Sequence, residues 1–239
     1  RIYTEYSLDV SVGRVSSSRR NMQNIPVENR YIYIPDSGTF TTGDYSQEHL
    51  RILMHKSGDR ELERVYLEGY MDGDIHSFTA RELGLPRGLA KTINYAIAYG
   101  ATPKTISEQA KIRDLKRCAG FLEQWFRLFR GAAEWIRVAQ EEGLSSGWAL
   151  PTLFNRRIKI PPVDEDGMKR RAVNYPILGS DGEVMKRALI VCKREQLPLA
   201  VTVHDSITCD GDITFPVEEL ENIPGFRIPF EVKKSERWE

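Results

Sequence analysis

Two aspartates lie where short strands are predicted to end, and carboxylates in such places can hold metal ions. Asp44 follows the β-branched and aromatic run 39–42 and precedes apolar residues at helical spacing. Asp205 lies at the predicted tip of a hairpin between the runs 199–203 and 207–209. Taken singly, Asp44 is explained as a helix cap and Asp205 as a solvated turn residue. If the two strands are neighbours in one sheet, the carboxylates can share two divalent ions about 4 Å apart, which suits phosphoryl transfer.

A predicted helix carries cations and aromatic side chains on one face. Arg87, Lys91, Tyr95 and Tyr99 recur every four residues, so each lies about 40° around the helix from the one before. This face could bind a triphosphate at its cationic end and stack a base or sugar at its aromatic end. An exposed helix whose tyrosines pack on a neighbour explains the pattern equally well. His76 precedes this helix and could reach the same phosphates, although a lone histidine is more often a satisfied structural residue.

The segment 2–26 has no helical or strand periodicity, so the sequence predicts a loop there. Its Asn21, Gln23 and Asn24 side chains, together with nearby arginines, can donate to the minor-groove acceptors that all base pairs share. A flexible connector is the alternative interpretation. Clusters of arginine and lysine elsewhere in the chain are weak evidence of phosphate contact, because such clusters are usually solvated faces.

Length and composition limit the number of domains and the class of protein. A chain of 239 residues can bury a core and form one domain or two intertwined subdomains. Lys+Arg and Asp+Glu both number 34, so the net charge gives no sign of a nucleic-acid partner. Cys118, Cys192 and Cys209 are far apart, and no apolar run approaches the roughly 20 residues that cross a bilayer. We infer a reduced, intracellular protein without a structural metal and without a membrane segment.

The remaining pattern predicts the elements around these residues. Residues 31–34 alternate as a strand, which we expect to pair through a turn at 36–38 with the strand leading to Asp44. Helices are predicted over 59–69, 75–83 and 87–99, and two or three more over 102–140. Thr102 is the expected N-cap of the first of these, and Gly131 the expected break.

Three of these segments resemble motifs A, B and C of family A DNA polymerases, the DNA polymerase I group. They are Asp44-Tyr45-Ser46-Gln47 with Leu50-Arg51, the helix from Arg87 to Tyr99-Gly100, and His204-Asp205. The stretches 13–18 and 21–26 resemble that family's loop for the minor groove, and Asp74-Ile75-His76 resembles its phosphate-binding signature. All of them occur in the family's order and span nearly the whole chain, up to an ending at 230–239 that also resembles the family.

The resemblance implies an α+β fold, a right-hand polymerase core with an antiparallel palm sheet and a helical fingers insertion. The palm would comprise 1–55 and 168–239, and the fingers 56–167. Two Mg²⁺ ions, with Mn²⁺ as a substitute, would be held by Asp44, Asp205 and the backbone carbonyl of Tyr45. Lys91 would also be catalytic, as a general acid toward the leaving group. The residues implied for dNTP binding are Arg87, Lys91, Tyr95, Tyr99, His76, His49, Gln47 and Tyr45. The residues implied for primer-template DNA are Arg14, Asn21, Gln23, Asn24, Arg171, Asn174 and His204.

Several positions depart from the family pattern. His49 stands where motif A has a glutamate that blocks the ribose 2′-hydroxyl, which predicts relaxed sugar selection. Ser206 replaces the less essential glutamate of motif C, and Leu178 replaces a minor-groove glutamine. Ala96 replaces a glycine of motif B. These changes bear on fidelity and sugar selection more than on the reaction.

No candidate thumb or 3′–5′ exonuclease domain is found in the sequence. We therefore expect weak binding of DNA by this chain, and a thumb supplied by a separate or removed N-terminal part. The predicted function is template-directed addition of deoxynucleotides to a primer 3′ end. A phage or other viral source is compatible with the divergence. The alternative is a polymerase-like DNA-binding or replisome assembly subunit with little catalysis, suggested by His49, Ser206 and Leu178.

Overall fold

A computed structural model describes residues 1–238, and Glu239 lies outside the described residues. Contacts within the chain divide it into two units. The sheet unit comprises Arg1–Glu48 together with the chain from Gly179 onward, and the helical unit comprises His49–Leu178. The sheet unit is therefore built from both ends of the described chain.

Eight strands are found in the described residues, all in the sheet unit. They are β1 (Glu5–Ser7), β2 (Ser16–Ser18), β3 (Phe40–Tyr45), β4 (Leu199–Val203), β5 (Ser206–Asp210), β6 (Asn222–Ile223), β7 (Phe226–Arg227) and β8 (Phe230–Ser235). The main sheet has the order β4-β5-β3-β8, and every neighbouring pair is antiparallel. Strand β3 is thus paired along both edges. The expected antiparallel sheet and the 199–209 hairpin are confirmed.

Close packing around β3 depends on a glycine. Gly43 lies under the ring of Phe230, and a Cβ at this position would overlap that ring. The same ring packs edge-on against Tyr45 at 4.9 Å and Phe215 at 5.3 Å between centroids. Tyr45 and Phe230 are almost fully buried, so contacts within this aromatic cluster hold β3 in its place in the sheet.

The helices are α1 (Val27–Arg30), α2 (Glu48–Ser57), α3 (Arg60–Tyr66), α4 (Ile75–Leu83), α5 (Arg87–Ala98), α6 (Pro103–Ala110), α7 (Leu115–Leu128), α8 (Arg130–Ser146), α9 (Glu165–Arg194) and α10 (Val217–Glu221). Thr102 caps α6 ahead of Pro103, as predicted. The break predicted at Gly131 lies instead at Phe129, between α7 and α8. None of the described helices combines the length and apolarity that crossing a bilayer requires.

The helical unit is organised by one buried carboxylate. Asp59 accepts hydrogen bonds from the backbone N–H groups of Glu61 and Leu62 at the start of α3, at 3.0 and 3.1 Å. Its second oxygen accepts from the N–H of Ala132 at the start of α8, at 3.0 Å. Asp59 therefore caps two helices at once, with only 2% of its surface exposed.

The strand predicted at 31–34 is wrong. Residues 27–30 form the helical turn α1, and the N–H of Tyr33 donates to the carbonyl of Arg30 at 2.9 Å. Tyr33 then packs edge-on against Trp238, with 5.5 Å between ring centroids. Since β5 and β8 already occupy both edges of β3, no edge remains for the 31–34 segment.

Two further expectations need correction. Segment 2–26 is not wholly a loop, because β1 and β2 pair and residues Met22–Asn24 form a 3₁₀ turn. The serine-rich β2 has low strand propensity, which hides the pairing from the sequence. The 30-residue helix α9 was not predicted, since Pro176 and three glycines interrupt its helical pattern. The palm and fingers limits predicted at 55/56 and 167/168 lie inside α2 and α9 and stay predictions.

Candidate active site

In the sheet unit, Asp44 lies on β3 and Asp205 lies in the turn just before the neighbouring strand β5. Asp44 is opposite Ser206 in the β3–β5 register, and the N–H of Tyr45 donates to the carbonyl of Asp205 at 3.1 Å. Asp205 belongs to the two-residue turn that joins β4 to β5. The condition for a shared metal site, adjacency of the two strands in one sheet, is therefore met.

The electrostatic surroundings of Asp44 favour a cation. Water reaches this residue, but protein atoms surround much of its carboxyl. Burial, followed by the negative charges of Asp205 and Glu231, raises the pKa of Asp44 to about 7, and only Lys233 opposes the shift. A divalent ion would neutralise this excess of negative charge, so the carboxylates present fit a metal.

Tyr45 anchors the strand beside the acidic residues. Its side chain is 1% exposed, and its hydroxyl donates to the carbonyl of Leu220 at 2.9 Å. Because side chains alternate across a strand, the buried Tyr45 ring leaves the neighbouring Asp44 on the opposite, accessible face. Gln47 follows with a φ of 52°, in the left-handed region, just before α2.

The turn between β4 and β5 holds the motif C residues. His204 is exposed, with a φ of 55°. The Ser206 hydroxyl donates to the carbonyl of Val203 at 2.8 Å and thereby closes the turn. Ser206 thus has a structural hydrogen bond at the position where the resemblance led us to expect a third carboxylate.

In the helical unit, one of the two cations on α5 is held by an ion pair. The Nε of Arg87 donates to Asp74 at 2.7 Å, and Asp74 also caps α4 through the N–H groups of His76 and Ser77. Burial alone would raise the pKa of Asp74, but its bonds with Arg87 and Ser77 lower that pKa well below the ordinary value. Lys91, one turn after Arg87, is exposed. An anionic ligand could reach both cations.

A buried network fixes the protonation of His76. The Trp125 N–H donates to the Asn94 side-chain oxygen at 2.8 Å, so the Asn94 amide group faces His76 Nδ1 at 3.1 Å. Nδ1 must then accept, which places the proton on Nε2. Burial is the main cause that lowers the pKa of His76 to about 4; Asp74 opposes the shift, and the charges of Arg87 and Lys91 add to it. At neutral pH His76 is an uncharged donor through Nε2.

The aromatic end of α5 forms a continuous row of rings. Centroids are 5.5 Å apart between His76 and Tyr95, 6.3 Å between Tyr95 and Tyr99, and 5.5 Å between Tyr99 and His49. His49 Nδ1 and the Tyr99 hydroxyl also share a hydrogen bond. His49 therefore occupies a defined position against Tyr99.

The side chains predicted to contact DNA differ in whether other protein groups hold them. Arg14 pairs with the buried Asp181, Asn21 caps the 3₁₀ turn at 3.2 Å, and Gln23 donates weakly to the carbonyl of Thr202 at 3.4 Å. Asn24 is exposed. The first three side chains are thus held by protein contacts within the sheet unit.

Two more predicted DNA contacts lie on α9, within the helical unit. Arg171 donates to the carbonyl of Pro161 at 3.3 Å. The buried side-chain oxygen of Asn174 has no hydrogen-bond partner among the described residues, so an external donor could satisfy it.

The structure brings the predicted residues together in two sets. Asp44, Tyr45, Asp205 and the minor-groove loop belong to the sheet unit, and the α5 face with His76 and His49 belongs to the helical unit. Asn94 and Trp125, which hold His76 in place, were not among the site residues predicted from sequence. A buried asparagine among the apolar positions of α5 is the signal that could have identified the network.

Comparison with known proteins identifies the family. A model described as DNA polymerase family A matches residues 1–222. The chain belongs to the family A DNA polymerases. Similar curated proteins include the thermostable DNA polymerase I of Thermus filiformis and of Thermus aquaticus, with 33% and 31% identity over 98% of this chain.

A solved structure shows the same fold. The POL domain of Pol1 from M. smegmatis, in complex with DNA primer-template and dNTP, superposes with a TM-score of 0.86 and 26% identity over 100% of this chain. The expected polymerase-core fold is therefore confirmed. The chain spans 32% of the length of the two Thermus proteins and 48% of the M. smegmatis chain.

Proposed function

We propose that this chain catalyses template-directed transfer of deoxynucleotides to the 3′-hydroxyl of a primer. The observation that carries the proposal is the pairing of β3 with β5, which places Asp44 on β3 beside the turn that contains Asp205. Membership of the polymerase family supports the same activity. We further propose that the sheet unit is the palm and the helical unit the fingers.

The donor set suits Mg²⁺. Asp44, Asp205 and the Tyr45 carbonyl would hold two ions, and Mn²⁺ could replace them. The described residues contain no cluster of three or more His, Cys, Asp or Glu side chains that could hold a metal ion, and Mg²⁺ commonly binds one or two carboxylates while keeping waters and substrate phosphates as its other ligands. When bound, the ions would activate the primer hydroxyl and stabilise charge on the phosphates.

Side chains of the helical unit would bind the incoming nucleotide. Arg87 and Lys91 would hold the β and γ phosphates, and neutral His76 would donate to them through Nε2. Lys91 would give a proton to the departing pyrophosphate as the primer oxygen bonds to the α-phosphorus. Tyr95 and Tyr99 would position the sugar and base.

DNA binding would come mainly from the sheet unit. Arg14, Asn21, Gln23, Asn24 and His204 would contact the minor groove and the primer end, with Arg171 and Asn174 of the helical unit. These donors match acceptors common to all base pairs, so the contacts would test the shape of the duplex rather than its sequence.

Primer extension tests the proposal. The protein is given a short primed template, Mg²⁺ and four dNTPs at low salt, beside Asp205→Asn and Asp44→Ala. We expect extension by the wild type and a loss of at least about 100-fold in both variants, since metal ligation contributes several kcal/mol to the transition state. Binding of the primed duplex, measured by fluorescence anisotropy, should be unchanged.

A second candidate is a DNA-binding or assembly subunit with little catalysis. The structural hydrogen bond of Ser206, in place of a third carboxylate, favours it. Duplex binding without extension in the wild type would support this candidate and contradict the polymerase.

A further inference from the structure

Two buried carboxyl groups face each other in the sheet unit. Glu48 is 1% exposed and Asp181 is fully buried. No N–H or O–H donor among the described residues reaches the Glu48 oxygens, and the neighbouring group is the carboxyl of Asp181. Two ionised carboxylates would repel each other strongly in this place, so one proton must lie between them.

That proton belongs to Glu48. Burial raises the pKa of Glu48 well above its usual value, and the charges of Asp181 and Asp205 raise it further, against Arg14. Asp181 forms an ion pair with the Nε of Arg14, which leaves Glu48 as the carboxyl that carries the proton. One shared proton and the charge of the half-buried Arg14 together lower the cost of burying the two carboxyls.

The backbone beside Arg14 is held at the same place. Gly182 follows Asp181 on α9, and a Cβ at Gly182 would lie 2.9 Å from the Gly13 carbonyl oxygen and 3.0 Å from the Arg14 Cα. A side chain there would push the 13–14 segment away from the helix. Arg14 is therefore held both at its backbone and at its Nε. These contacts do not use the four N–H groups on its two terminal nitrogens, which can donate to a ligand.

We propose that Glu48 and Asp181 are positioning residues that orient Arg14 toward the minor groove of the primer-template. The inference rests on the proposed function, in which Arg14 contacts DNA. A free arginine loses side-chain entropy when it is fixed, and the ion pair with Asp181 removes that cost before DNA arrives.

A double-mutant cycle on duplex affinity tests the role of Asp181. Fluorescence anisotropy with a labelled primed duplex is compared for the wild type, Asp181→Asn, Arg14→Ala and the double variant. We expect Asp181→Asn to weaken binding about 10-fold and to weaken it no further in the Arg14→Ala background. Wild-type affinity in Asp181→Asn, or independent effects that multiply in the double variant, would overturn the inference.

Two other variants separate positioning from general loss of structure. Glu48→Gln keeps an N–H donor toward Asp181, so its affinity should stay within about 2-fold of the wild type. Gly182→Ala leaves all three side chains intact but displaces the 13–14 segment, and should weaken binding as Asp181→Asn does. Glu219→Gln is the matched control, because it removes an exposed carboxylate, 2.5 Å from Arg194, in the same unit.

An NMR measurement without DNA distinguishes this inference from the proposed function. The Nε–H resonance of Arg14 should be protected from exchange in the wild type and in Glu48→Gln, and unprotected in Asp181→Asn. An unprotected wild-type resonance overturns the inference, whatever the protein binds. A protected resonance in a protein that does not bind the duplex overturns the proposed function and the DNA role of Arg14 together.

Discussion

At the scale of single residues, we propose that His49 influences the choice between deoxyribose and ribose in the proposed reaction. Its hydrogen bond to Tyr99 fixes the imidazole in the position where the family has a glutamate. An imidazole held by this bond differs in shape and in hydrogen-bonding groups from a carboxylate, so we expect it to oppose a ribose 2′-hydroxyl less than a carboxylate would. We therefore expect the proposed reaction to discriminate less strongly between deoxyribose and ribose.

We predict that His49→Glu restores rejection of ribonucleotides. The ratio of kcat/KM for a dNTP to that for the matching rNTP should rise about 10-fold or more, a typical effect of one steric and polar contact. Single-nucleotide primer extension measures this ratio. Tyr99→Phe serves as a control, because it removes the hydroxyl partner without adding a carboxylate. Equal ratios in the wild type and His49→Glu would refute the prediction.

His76 links stability to pH. Its pKa of about 4 in the folded protein lies below the ordinary 6.5, so between these values the unfolded chain binds a proton that the folded chain does not. Folding stability is therefore complete above pH 6.5 and decreases as the pH falls toward 4. At about 1.4 kcal/mol per pH unit, the loss between pH 6.5 and 5 is about 2 kcal/mol.

Urea denaturation at pH 7 and pH 5 tests this linkage. His76→Gln should lose about 2 kcal/mol less than the wild type over that interval. His55→Gln is the comparison: burial and the charge of Lys56 also lower the pKa of His55, but this α2 residue is exposed, so its replacement should change the pH dependence less than that of His76 does. An unchanged pH dependence in His76→Gln would show that folding does not lower the pKa of His76.

At the scale of elements, Asp59 joins α3 to α8. We predict that Asp59→Ala lowers the free energy of unfolding by about 3 kcal/mol, because it leaves buried N–H groups of two helices unsatisfied. Asp114→Ala provides the comparison, since Asp114 caps only α7 and is exposed. It should cost about 1 kcal/mol in the same urea titration. Similar costs for the two variants would contradict the double-cap role.

The elements differ in how well the sequence predicts them. The hairpin at 199–209, the helix over 75–83 and the capped start of α6 follow from local signals, and the structure confirms them. Sheet partners depend on distant residues, which explains the wrong assignment of 31–34. Nothing local distinguishes that alternating segment from β8, the strand that does pair with β3.

Prediction of the candidate site is limited in the same way, because its side chains also depend on partners that are distant in sequence. Motif residues such as Asp44 and Lys91 can be found by type and spacing. The partners that fix them, such as Asp74 for Arg87 and Asn94 for His76, depend on packing between helices. Glu48 is the clearest case: its sequence position, on a helix beside His49, gives no sign that it is buried against Asp181, more than a hundred residues away along the chain.

At the scale of the whole molecule, the two units differ in the separation of their contacts along the chain. The helical unit is one continuous segment, in which α4 packs on α5 and α6 on α7. The sheet unit needs both ends of the chain before β3 can pair. Because distant contacts carry a larger loop-closure cost, we expect the helical unit to form first during refolding.

Pulse-labelling hydrogen exchange during refolding measures this order. Amides of α4 and α5 should become protected before those of β3 and β5. Tyr45→Phe, which loses only the bond to Leu220, should slow or weaken protection in the sheet unit alone. Simultaneous protection of both units would contradict the expected order.

The double pairing of β3 also matters while the chain is being made. Tyr45 leaves the ribosome roughly 160 residues before Ser206, which at typical rates of 5–20 residues per second is about 10 to 30 s. During that interval both edges of β3 are unpaired, although almost all of its residues are buried in the folded protein. An uncovered strand can pair with other chains, so we expect the nascent protein to be most prone to aggregation during this interval.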